Sequence, residues 1–201
     1  DAGGEMEQLN PLDFPVLNML NTKYFIFPLQ GGQTVPLENP FALGNAWFVN
    51  DVQYVANANE EIEALHHLNP QTTAVVDKRF ESELKPIASD STSTITLVDY
   101  EPNYLKYEVE SPNGGTVVFS EIYYPGWKSM IDGKEVAHGR ADYVLRAMNV
   151  PAGKHVVEFH FDPDSLHTTE SIAYIALALL VLGFVAFIGK ECLYGKKKMI
   201  P

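Results

Sequence analysis

Hydrophobicity along this chain falls into three regimes. Residues 171–189, SIAYIALALLVLGFVAFIG, carry no charge and are apolar on every side of a helical projection. About 20 apolar residues rising roughly 1.5 Å each cross a hydrocarbon core of about 30 Å, and a helix there satisfies its own backbone hydrogen bonds. The pattern predicts one transmembrane helix over 169–189. A core helix of a globular domain would instead show a polar outer face.

Residues 1–86 mix two periodicities. FPVLNMLN has helical spacing, KYFIF reads as a strand, AWFVNDVQYVAN as one long or two short strands, NEEIEALHHL as an amphipathic helix and TTAVVD as a strand. This predicts a small α/β part, with Asn59 as the helix N-cap and Glu60 and Glu61 in its first turn. Over 91–165 the pattern becomes short strands: STITLVDYE, NYLKYEVES, GTVVFSEIY, WKSMID, KEVAHG, DYVLRAMNV and KHVVEFHFD. Turn residues separate most of them, among them Pro125-Gly126 and Asp132-Gly133. About seven strands at this spacing predict an antiparallel β-sandwich. Between the zones SELKPIASDS, polar and containing Pro86, is the expected linker. The fold class is therefore α+β: a small α/β N-terminal part, then an antiparallel β-sandwich, then one C-terminal transmembrane helix.

Charge gives the helix a direction. The formal net charge is -12, divided as 10 basic against 25 acidic residues in 1–171 and four lysines against Glu191 in 172–201. Lysine and arginine gather on the cytoplasmic side, so residues 1–168 are expected outside the cell membrane and the basic tail, 190–201, in the cytosol. No early apolar stretch reads as a signal peptide, so the chain is expected to be a piece of a longer membrane protein whose upstream part carries it across. So acidic an outer region excludes nucleic acid as a partner. Cys192 is the single cysteine, which excludes a disulfide scaffold.

Local signatures of acyl transfer, nucleotide binding and zinc hydrolysis are absent from the sequence. His66 and His67 point about 100° apart on a helix, and His155 and His160 fall on opposite strand faces, so no metal site and no cofactor are expected. The notable side chains are three rings and two arginines. In SEIYYPGWKSMIDGK, residues 120–134, strand alternation sends Tyr123 and Tyr124 to opposite faces, so both cannot be core. Trp127 is expected to pack over the Pro-Gly corner and aim the chain at the Asp-Gly hairpin. Exposed rings on a sandwich can stack on sugars, although rings beside a turn more often form the corner itself. Arg140 and Arg146 lie in the strand zone near Glu121 and Asp142, where a structural ion pair is favoured over a clamp for phosphate or carboxylate. Tyr123, Tyr124, Trp127, Arg140 and Arg146 are thus the candidate ligand-binding residues, with no catalytic residue among them.

LNMLNTKYFIF, GNAWFV, SEIYYPGWKSMIDGK and ADYVLRAMNVPAGKHVVEFHF, followed by a final membrane helix, resemble the C-terminal part of the YfhO family of bacterial membrane proteins. The resemblance implies a large polytopic protein of the GT-C glycosyltransferase type, which adds sugars to a cell-envelope glycan such as lipoteichoic acid from a lipid-linked donor. It also implies that the catalytic acid lies in an N-terminal outer loop this chain lacks. The expected partners are the upstream transmembrane part of the same protein, the bilayer, and an envelope glycan or lipid-linked sugar. The expected role is non-catalytic, positioning an acceptor or bracing the membrane part; a membrane-anchored glycan-binding module or a structural assembly domain are the alternatives.

Overall fold

The computed structural model describes residues 14–29 and 31–197. In chain order the elements are α1 (Pro15–Met19), β1 (Tyr24–Pro28), β2 (Thr34–Glu38), β3 (Ala46–Val49), β4 (Asp51–Val55), α2 (Ala58–Ala64), β5 (Thr73–Asp77), β6 (Thr94–Glu101), β7 (Tyr104–Ser111), β8 (Gly115–Ile122), β9 (Trp127–Ile131), β10 (Lys134–Glu135), β11 (Gly139–Ala141), β12 (Leu145–Val150), β13 (Gly153–Phe161) and α3 (Asp164–Lys197). The chain divides into two units, one ending at Phe161 and one beginning at Asp162.

In the first unit, two antiparallel sheets make the expected sandwich. One has the order β10-β9-β13-β7-β6 and the other β11-β12-β8-β3. Alternate residues of both interdigitate between them: Leu105, Tyr107, Val157 and Phe159 from the first meet Val117, Phe119, Met148 and Val150 from the second. Each such buried side chain contributes about 1.5–3 kcal/mol. The second sheet is covered on its other face too. There Val118, Leu145 and Ala147 pack against Val52, Leu65, Val75 and Val76, which come from the parallel pair β4–β5 and its crossover segment. Burial on both faces is why GTVVF is a continuous apolar run rather than an alternating one.

β3, from the N-terminal α/β stretch, pairs antiparallel with β8 and so belongs to the sandwich. The segment SELKPIASDS is tied down as well: Leu84 is fully buried, the Tyr54 hydroxyl donates to its carbonyl, and the Ile87 N–H donates to the Thr116 hydroxyl. Turn chemistry acts as expected at Asp132-Gly133. Both residues have positive φ, 53° and 75°, the signature of a type I′ hairpin, and Ile131 pairs with Lys134.

Three local expectations are corrected. The N-cap of α2 is Asn57, not Asn59: its carboxamide oxygen accepts the N–H groups of Asn59 and Glu60, and the Glu60 carboxylate reaches back to the Ala56 N–H. KEVAHG is not one strand, since β10 stops after two residues and β11 crosses to the other sheet. DYVLRAMNV starts late because Asp142 and Tyr143 adopt left-handed backbone, at φ 50° and 71°, and form a turn.

In the second unit, the described part of α3 over Asp164–Lys190 contains an 18-residue window with a mean hydropathy of 2.7, none of it buried in protein. It is long and apolar enough to cross a membrane. The α+β class with one long C-terminal apolar helix is borne out.

Candidate functional site

The ring-rich stretch 120–134 folds into a corner that gathers three of the five candidate residues. After β8 ends, Gly126 takes φ 106° and the Trp127 N–H donates to the Tyr124 carbonyl at 3.4 Å, the pattern of a Pro-Gly type II turn. This sets the rings of Tyr124 and Trp127 on either side of one bend. Trp127 opens β9 directly opposite Phe161, the last residue of β13. Their ring centroids lie 5.3 Å apart, and Tyr124 is 6.2 Å from the same Phe161 ring.

Arg146 enters this corner from the facing sheet. Its parity with Met148 and Val150 turns it toward the space between the sheets, where its guanidinium lies 4.2 Å from the Trp127 ring centroid and 4.7 Å from that of Phe159. It is 1% exposed. Its ion-pair partner is Glu121, Nη2 to Oε2 at 3.4 Å, while Nε and Nη1 have no protein acceptor. Burial raises the Glu121 carboxyl, with Arg146 opposing, and burial lowers the Arg146 guanidinium. A cleft of about 400 Å³ opens here, lined by Asn103, Glu121, Tyr124, Trp127, Arg146 and Phe161. Flat rings and the part-exposed Glu121 acceptor suit a hydroxyl-rich ligand with apolar faces, while the unpartnered Arg146 donors lie buried behind the Trp127 ring. Among the described residues Glu121 is the one carboxylate lining the cleft.

The other two candidates lie in a separate cluster. The Tyr123 ring packs edge-on against Phe80 at 5.4 Å and against His138 at 5.6 Å. Burial, with Arg146 adding to it, pushes His138 down to about 4, so it stays neutral and hydrogen-bonds the Ser129 hydroxyl at 2.8 Å. Arg140, on β11, ion-pairs through Nη2 with the fully buried Glu61 and lies 3.9 Å from Asp77. Neither Glu121 nor Asp142 is its partner. Glu61 also accepts the Tyr143 N–H at 3.0 Å, yet burial outweighs both bonds and raises its carboxyl. Asp142 is buried without an ion pair: its Oδ1 accepts the Val75 N–H at 2.8 Å, Oδ2 has no partner, and desolvation pushes it up to about 7. Asp77 is held below the usual carboxylate range by the Arg79 backbone and side-chain N–H groups.

Phe161 and Asn103 in the cleft, and Glu61 and Asp77 at Arg140, escaped the sequence reading. Phe161 had a signal, because alternation through VVEFHF places it on the face of Phe159. Glu61 had none, since an acid in a first helical turn normally faces water.

A profile of the family described as "Bacterial membrane protein YfhO" matches residues 64–173. That is more than half of the chain. The chain belongs to the YfhO family. In this YfhO-family chain the match takes in every residue lining the cleft, as well as Asp77, Arg140 and Asp142, and it leaves out Glu61 and the β1–β2 hairpin. No curated protein and no solved structure matches the chain.

Proposed function

We propose that this chain is the non-catalytic extracytoplasmic part, with its last membrane helix, of a YfhO-type polytopic glycosyltransferase that modifies a cell-envelope glycan. Its β-rich unit lies outside the membrane, the lysine-rich tail lies in the cytosol, and the cleft at Trp127 holds the acceptor glycan for chemistry carried by the membrane part. The observation that carries this reading is the cleft itself: Tyr124, Trp127 and Phe161 present ring surface beside Arg146, whose Nε and Nη1 are unused by the protein. A sugar stacked on those rings reaches the part-exposed Glu121 carboxylate directly, and reaches the buried Arg146 donors when the Trp127 ring moves aside.

The test is intrinsic fluorescence of the full chain in detergent, titrated with deacylated lipoteichoic acid and with a neutral polysaccharide. The expected result is a saturable change with at least one glycan, lost in Trp127→Phe and weakened in Arg146→Met. No saturation with either glycan, or saturation unchanged by both substitutions, overturns the acceptor-holding role. Sugar transfer by this chain alone would overturn the division of labour. Labelling of Cys192 by a membrane-impermeant thiol reagent in intact cells would overturn the orientation.

A further inference from the structure

Among the described residues the β1–β2 hairpin pairs with neither sheet of the sandwich, and its composition is unlike that of the acidic unit it belongs to. Its one charged residue is Glu38, at the base opposite Tyr24; residues 24–37 carry none. The register puts Tyr24 and Ile26 on one face and Phe25 and Phe27, opposite Leu37 and Val35, on the other. The Tyr24–Ile26 face is exposed, Ile26 at 72% and Tyr24 at 59%, whereas on the other Phe25, Val35 and Leu37 are half-buried and Phe27 is 43% open; Leu29 at the tip is 43% exposed.

A ribbon that docks into a protein groove needs one apolar face and keeps the other polar. Here the open face is itself apolar along Tyr24, Ile26, Pro28 and Pro36, with polar residues only at its ends, Thr34 and Glu38. Only Asp162 and Pro163 separate the end of β13 from the start of α3, a span of about 10 Å. A membrane-embedded α3 therefore tethers the hairpin's unit to the bilayer. Electrostatics favour the hairpin as the point of contact, because the rest of the unit is strongly acidic and anionic lipid repels it.

We propose that the β1–β2 hairpin seats in the headgroup layer of the bilayer, giving the chain a second membrane contact besides α3. Depth is bounded by the backbone. Two strands leave N–H and C=O groups open along both outer edges, which hydrocarbon does not tolerate but hydrated headgroups satisfy. Tyr24, Phe25 and Phe27 are the residue types that populate this layer.

Nitroxide labels test the placement in the full chain, carrying Cys192→Ser and reconstituted in nanodiscs of phosphatidylcholine and phosphatidylglycerol. Single cysteines replace Ile26, Phe27 or, as the control on β10, the exposed charged Glu135, and collision rates with oxygen and with a water-soluble nickel chelate are compared. The hairpin labels are expected to favour oxygen over nickel several-fold more than the label at 135. Equal ratios at 26, 27 and 135 overturn the proposal. So do labels at 26 and 27 shielded from both reagents with dipolar broadening that dilution by unlabelled chain removes, since a second copy would then cover the hairpin. If Ile26→Cys fails to fold, Leu29→Cys at the tip reads the same depth.

Discussion

Arg140 and Arg146 are six residues apart, each lies near a carboxylate, and they sit in opposite chemical settings. Arg140 meets Glu61 and Asp77, and Glu61 in turn lies close enough to Asp142 to help raise its carboxyl. Arg146 meets one half-buried carboxylate at 3.4 Å and two aromatic faces, with two N–H groups unused. The first arrangement is a brace: Arg140 and Glu61 hold β11 and the 142–143 turn against α2, while the two-way bond between Asp142 and Val75 holds that turn against β5. The second, with aromatic faces around the guanidinium and two donors lacking an acceptor, is the arrangement on which the proposed glycan site rests. An unmet donor does not by itself separate the two, since Arg140 Nε is buried without an acceptor as well; the difference is a second carboxylate beside Arg140 against two aromatic faces at Arg146.

Removing one arginine at a time breaks the comparison most sharply. Arg140→Ala leaves Glu61 buried with a backbone N–H as its remaining bond, and should cost about 3–5 kcal/mol in urea unfolding of the β-rich unit. If it costs less than 1 kcal/mol, the brace is not one.

Next comes the pH dependence of Asp142. Its carboxyl titrates near 7 in the folded chain, against about 4 when unfolded, so the stability tied to it is complete below pH 4 and is lost as pH rises toward 7. His138, lowered to about 4, works the other way, losing stability as pH falls from about 6.5 toward 4. Asp142→Asn keeps the Val75 N–H bond and suits left-handed backbone. Its stability relative to wild type should therefore grow between pH 4 and 7, by on the order of 3 kcal/mol. A difference that stays flat with pH would mean that Asp142 ionises normally.

Asn57→Ala should cost about 1 kcal/mol through the lost α2 cap, while Asn59→Ala should cost little. A small effect on stability is likewise expected from Arg146→Met. Methionine fills the slot between Trp127 and Phe159 without burying unmet donors, so stability should change by less than about 1 kcal/mol while glycan binding falls. Large destabilisation with binding retained would place Arg146 beside Arg140 as a brace.

How much of this could be read from the chain depended on the range of the interaction. Local chemistry was legible: the Asp-Gly hairpin, the Pro-Gly corner that turned two rings toward one cleft, the apolar length of α3, and the strand series of the sandwich. Pairings between distant residues were not. Glu61 and Arg140 are 79 positions apart, and nothing in ANEEIEAL distinguishes the buried Glu61 from the exposed Glu60 beside it. The cap moved from Asn59 to Asn57 because both asparagines suit the role, and the choice fell to the one whose backbone is extended, at φ -162° and ψ 172°. The five candidates divided between cleft and brace for the same reason. Sequence places Arg140 and Arg146 in one zone, but the crossing of β11 into the second sheet and the inward parity of β12 send them to different neighbours.

The pairing of β3 with β8 has a practical corollary for dissecting this protein. The family profile begins at residue 64, yet a fragment cut there would lack β3 and Trp47, whose indole N–H donates to the Pro70 carbonyl. β8, apolar and buried on both faces, would become a bare edge open to pairing with another chain. Expression boundaries drawn from the profile should yield aggregates, and boundaries that retain residues 46–49 should not.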